Sequence, residues 1–137
     1  MRRQPSTITG ASGDATVEAA RETVGDALRA VVEYDEADYR VLFVSEWLRN
    51  HLGEDGLAET AEGLHGYIHL DFVERELYAD MTPAAGRLRT HVTRLEGATF
   101  VRSLVGDSGL FLSVDPGVDL SALCSAVEDA IDDGTAG

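Results

Sequence analysis

No lysine occurs among the 137 residues of this chain, although 25 Asp and Glu residues stand against 11 basic residues, every one an Arg, for a formal net charge of −14. Lysine is one of the commonest residues in soluble proteins, so its absence removes whole reaction classes. A Schiff-base enzyme, a Walker A phosphate loop, a kinase-type strand lysine and a Ser-Lys dyad all require it. Cysteine is nearly absent too. Cys124 stands alone, which excludes intrachain disulfides and cysteine-rich zinc sites, and on the apolar side of a helix it reads as a small core residue. No run of 18 apolar residues exists, so no helix is expected to span a membrane. Met1-Arg2-Arg3 lacks the apolar stretch of an export signal, because Gln4-Pro5-Ser6-Thr7 follows it, and a cytoplasmic protein is expected.

Codon bias explains part of this pattern. A GC-rich genome exchanges Lys for Arg and depletes Asn and Ile, and here Asn50 is the single Asn while Ile8, Ile68 and Ile131 are the only Ile. It does not explain two acidic residues for every basic one. That excess suits a cytosol at multimolar salt, where a Debye length of about 3 Å screens self-repulsion, and it points to a haloarchaeon or a similar salt-accumulating organism. The same charge repels phosphate backbones and anionic bilayers, so neither nucleic acid nor membrane is expected as a partner.

The length suits one domain. Residues 1–13 are polar and Gly/Ser-rich and read as a disordered tail, 14–131 as a single α+β domain, and 132–137 as a frayed acidic tail. Asp14 can cap a first helix over 15–31, in which Val17, Ala20, Val24, Leu28 and Val31 recur at helical spacing. Tyr39-Arg40-Val41-Leu42-Phe43-Val44 reads as a central strand covered on both faces. Ser45 can cap a short helix ended by Gly53, and Asp55 a longer one with Leu57, Ala61, Leu64 and Ile68 on one side; 71–80 continues it or forms a loop. After Pro83 the period falls to two, and 87–95, 99–105 and 110–114 form an antiparallel meander. Asp119 caps a last helix that turns Leu120, Leu123, Cys124, Val127 and Ile131 inward. The expected fold is thus α+β: an antiparallel sheet of one central strand plus a C-terminal three-stranded meander, packed with N-terminal, middle and C-terminal helices. With the helices mainly on one face, the other face would need covering, and dimerisation is one way to cover it.

Gly25-Asp26-Ala27-Leu28-Arg29, Asp38-Tyr39-Arg40-Val41-Leu42-Phe43-Val44, the Arg87–Arg102 meander and Gly109–Pro116 resemble a family of small uncharacterised haloarchaeal proteins over roughly residues 17 to 131. The order of helix, sheet, meander and closing helix is more weakly similar to the roadblock/profilin-like architecture. That resemblance implies a dimerising or ligand-sensing module rather than an enzyme. The chain departs from it in having one clear strand before the long helix, where the roadblock pattern has a hairpin.

Four sets of residues carry candidate chemistry. Arg87, Arg89 and His91 share one face if their strand alternates strictly, and Arg94 and Arg102 lie in the same meander, so these side chains form a basic surface for an anionic ligand or pair with nearby acids. His65 and His69, at i and i+4 with Glu62 on the same side, are the metal candidates for a hydrolase, without a fixed third ligand. Gly106-Asp107-Ser108-Gly109 carries the letters around a trypsin-like nucleophile, but no partner His motif accompanies it. A hairpin turn in which Gly supplies positive φ and Asp tolerates it accounts for the residues. Trp47, Tyr67, Phe72 and Tyr78 read as packing residues rather than a base-stacking platform. With no catalytic constellation and no cofactor expected, the sequence points to a non-enzymatic regulatory or protein-interaction module, partnered by itself as a homodimer or by another protein. A sensor of anions at Arg87, Arg89, His91 and Arg102 is the alternative.

Overall fold

A computed structural model describes residues 8–67 and 69–136, with side chains except at Tyr67, His69, Asp71, Thr135 and Ala136. Helix α1 (Ala11–Val24) is followed by a single 3-10 turn, Gly25–Ala27, then by strands β1 (Leu28–Tyr34) and β2 (Tyr39–Val44). Helices α2 (Glu46–Tyr67) and α3 (His69–Met81) come next, and after another 3-10 turn at Pro83–Ala85 the meander comprises β3 (Thr90–Arg94), β4 (Thr99–Val105) and β5 (Ser108–Val114). Helix α4 (Leu120–Ala136) closes the chain, and the five strands form one antiparallel sheet in the order β2-β1-β5-β4-β3.

The first helix expected over 15–31 is in fact a helix and a strand. Gly25, at φ 56°, turns the chain out of α1, and Leu28–Tyr34 pairs on one side with β2 and on the other with β5. Its apolar residues imitate a helical period because the strand is irregular. The register shifts between Leu28 and Ala30 against β5 and between Val31 and Val32 against β2, so Leu28 and Val31, three apart, both enter the same core. The hairpin that the roadblock pattern requires is therefore present, closed by Asp35, whose Oδ1 accepts the N–H groups of Ala37 at 2.8 Å and Asp38 at 2.7 Å. Tyr39–Val44, expected at the centre, is an edge strand, and the middle of the sheet is β5.

Helices cover both faces, which corrects the expectation of one bare face. On the first, α1 and α4 bury Val17, Ala20, Leu123 and Val127 against Val31, Val101 and Leu112. Their approach is close: Ser12 Oγ donates to the Ile131 carbonyl at 3.2 Å, and a Cβ on Gly134 would lie 2.7 Å from the Ser12 backbone. Residues 132–134 continue α4, with Asp132 and Asp133 exposed, and α1 opens at Ala11. Asp14 sits in the first turn of α1, whose N-cap is Gly10. On the second face, Phe72 of α3 packs with Tyr34 and Phe111, and Leu64 of α2 joins them.

Two caps fall where the sequence places them. Ser45 Oγ accepts the Leu48 N–H at 3.1 Å, and Asp119 Oδ1 accepts that of Ala122 at 3.1 Å. Gly53, at φ 75° and ψ 169°, breaks α2 into two helical pieces. Among the described residues no helix is long and apolar enough to cross a membrane.

Candidate functional site

β3 is five residues long and ends the sheet, so its outer backbone groups have no strand partner among the described residues. Short length and Arg94 moderate such an edge without closing it. Beside it lies a second unsatisfied feature. Leu70, Val73, Leu77 and Met81 recur at steps of three and four along α3 and form one exposed apolar stripe, with Val73 57% and Met81 64% exposed. Phe72, on the opposite side of α3, is buried, with the Arg75 guanidinium 5.3 Å from its ring centre, while Glu74, which flanks the stripe, brings its Oε2 to 2.9 Å from His91 Nε2 on β3. The His91–Glu74 contact lacks the alignment of a hydrogen bond. Val92 and Leu95 add exposed apolar surface at the edge itself.

The arginines of the meander do not share one face. The strand begins only at Thr90, so alternation does not govern Arg87 and Arg89. Arg89 turns to α4, where it meets Asp132 at 2.8 Å, Glu128 at 3.8 Å and the Glu128 carbonyl at 3.4 Å. Thr90 also reaches Glu128 Oε2, at 2.8 Å, and shares a hydrogen bond of 2.9 Å with Ser103. His91, one residue on, points to the other face toward α3, and Arg102 is its cross-strand partner there. Arg87 and Arg89 do meet a third guanidinium, which the sequence reading missed. Arg75 donates to the Gly106 carbonyl at 2.5 Å, lies 3.5 Å from Asp107, and lines with Arg87 and Arg89 a cavity of about 300 Å³. Arg87 and Arg89 are neighbours in sequence, whereas Arg75 belongs to α3, so the docking of α3 brings the third guanidinium to them.

His65 is committed elsewhere: its Nε2 lies 3.0 Å from the Asp35 carbonyl oxygen and its ring packs on Tyr39 at 5.2 Å. The side chain of His69 lies outside the described residues, and among those described no three His, Cys, Asp or Glu residues gather to hold an ion. The Gly-Asp-Ser-Gly stretch is a two-residue hairpin loop. Val105 pairs with Ser108, and of the two loop residues only Gly106 has positive φ, 60°, which is the type II′ pattern; Asp107 is not left-handed. Cys124 is partly buried on α4, and burial, helped by the charge of Glu128, raises its thiol pKa.

The architecture has solved counterparts. A Roadblock/LC7 domain from Streptomyces avermitilis superposes with a TM-score of 0.55 at 14% identity, over 88% of this chain and 92% of that one. The gliding protein MglB from Thermus thermophilus superposes with a TM-score of 0.52 at 20% identity, over 94% and 93%. An MglB in a tetrameric arrangement gives 0.55 at 18% identity, over 95% and 93%. These likenesses establish a Roadblock-like fold. No curated protein matches the sequence. Residues 14–132 match the family described as a domain of unknown function, DUF7522, and the chain belongs to that family.

Proposed function

We propose that the chain is a non-enzymatic regulatory module that works through protein contacts, its first partner being a second copy of itself. The carrying observation is the open edge of β3 accompanied by the exposed apolar stripe of α3. Pairing a second β3 there would satisfy backbone groups, and burying Val73, Leu77 and Met81 would supply the apolar area of a lasting contact. The tetrameric arrangement of an MglB of the same fold supports assembly as the mode of action. The acidic balance of the chain favours the cytosol of a salt-accumulating organism as its setting. Sedimentation in multimolar KCl tests the reading. A dimer is expected, and replacing Val73 and Leu77 together by Glu should give a folded monomer; a wild-type chain monomeric at all concentrations would overturn it.

A second reading rests on the meeting of Arg75, Arg87 and Arg89 around one cavity on so acidic a chain. Their guanidinium groups would hold a phosphate or nucleotide, with Arg75 and Arg89 already fixed by Gly106 and Asp132. Thermal shift with nucleotides and phosphates in high salt checks this, with Arg87→Ala expected to remove any shift.

A further inference from the structure

The cover over the second face of the sheet does not close. Because Gly53 breaks α2, its two pieces arch over β1 and β5 and leave a cavity of about 310 Å³ with a floor that includes Ala30, Val32 and Phe111 and a roof that includes Leu48, Leu57 and Leu64. The cavity opens to solvent beside Trp47 and Leu52, both exposed, and its remaining walls are mostly apolar, so it is shaped to accept an apolar guest. It also reaches the lower end of the range occupied by small-molecule sites.

The ionisable residues of its wall are equally informative. Among the described residues Arg29 and His51 are the only ones, and no described carboxylate lines the space, although Asp and Glu outnumber Arg by 25 to 11 in the chain. Both stand with Trp47: the Arg29 guanidinium lies 4.3 Å from the Trp47 ring centre, and the His51 ring stacks on Trp47 at 4.8 Å with the planes 9° apart. Arg29 is held by the carbonyl of Gly97, itself part of the cavity wall, at 2.6 Å and by half-exposed Asp115 at 3.5 Å. A guanidinium has five N–H donors, so these two contacts position the group without exhausting it.

We propose that this cavity binds a small amphipathic carboxylate, its apolar body under α2 and its carboxylate on Arg29 and His51. If each carbon takes roughly the volume of a liquid water, about 30 Å³, the body holds about ten carbons. The site is separate from the β3 edge and from the three-arginine cavity, so it stands whether or not the chain dimerises.

Decanoate is the probe and decanol its uncharged counterpart. Trp47 is the only tryptophan, so its emission reports occupancy at the site, and equilibrium dialysis of the full chain in high salt measures binding directly. Decanoate should bind saturably and shift Trp47 emission. Arg29→Met should weaken decanoate about tenfold, the worth of one charge-assisted contact, and leave decanol unchanged. Ala61→Phe, which fills the cavity from the roof, should abolish both. Circular dichroism establishes that each variant is folded; if Ala61→Phe is not, the decanoate–decanol comparison in Arg29→Met decides alone. Absence of saturable decanoate binding overturns the proposal, as does equal weakening of both probes by Arg29→Met or unaltered binding in a folded Ala61→Phe chain.

Discussion

Gly109 and Glu33 have roles that only their neighbours reveal. Gly109 lies in β5 opposite Tyr34, and a Cβ there would run into the Tyr34 ring, which is fully buried. Gly109→Ala should therefore cost about 3 kcal/mol through overpacking, read as a lowered denaturation midpoint; an unchanged midpoint would mean that Tyr34 has room to move. In the Gly-Asp-Ser-Gly stretch the first Gly thus serves the turn and the second serves a tyrosine 75 residues upstream, a distinction the letters alone do not carry. Glu33 heads the polar stretch Glu33-Tyr34-Asp35-Glu36-Ala37-Asp38, yet it is wholly buried. The chain before α1 supplies what a buried carboxylate needs: Thr9 N–H and Oγ1 each donate to Glu33 Oε1 at 2.8 Å. Cys124 yields a chemical prediction. Burial and then Glu128 raise its pKa, so less thiolate is present at neutral pH than for an ordinary thiol. Alkylation by iodoacetamide should be slower than that of a free cysteine near pH 7 and should catch up only as pH rises above the usual thiol range; a fast reaction near pH 7 would contradict this assignment.

The elements show where periodicity speaks and where it misleads. Strand β4 occupies the span its alternation predicts, because Thr99, Val101 and Ser103 face α4 while Phe100 and Arg102 face the other way in a regular ladder. Strand β1 hides because two register shifts bring Leu28 and Val31 to one core. Sequence spacing cannot separate that from a helical turn, and only pairing with β2 and β5 resolves it. Helix α2 turns on Gly53. Its backbone lies at φ 75°, ψ 169°, a region open essentially to Gly alone, and a Cβ there would meet nothing within 4 Å. Gly53→Ala should cost about 2 kcal/mol from backbone strain without a clash, or straighten α2 and change the cavity beneath it. Denaturation together with Trp47 emission separates the two outcomes, and a variant with neither change would show that the break is not held by the backbone of Gly53. The stripe of α3 lies in the stretch read as helix or loop, and its three-and-four spacing of apolar residues does not say whether it faces a core or solvent. Phe72, only two residues from Leu70, takes the core side, and the stripe is left outside.

At the scale of the whole molecule, the charge sets how stability responds to salt. Fourteen net negative charges repel one another across a domain of this size, and the repulsion is screened as the Debye length falls from about 10 Å at 0.1 M to about 3 Å at 1 M salt. The melting temperature should climb steadily with KCl over that range; a flat profile would show that the acidic surface does not limit stability. Four of the pairs that temper the charge are assembled by tertiary contact: Arg29 with Asp115, Arg75 with Asp107, and Arg89 with Glu128 and Asp132. The sequence by itself determined the exclusions made by missing lysine and cysteine, the acidic character, the closing meander and the caps at Ser45 and Asp119, because composition and local hydrogen bonding are properties of short stretches. The tertiary structure alone decided that Tyr39–Val44 is an edge, that helices cover both faces, that Arg89 and His91 part company, and that α2 roofs a cavity bordered by Arg29, Trp47 and His51. Each of these depends on which distant segments come within a few ångströms of one another, and local periodicity does not encode that.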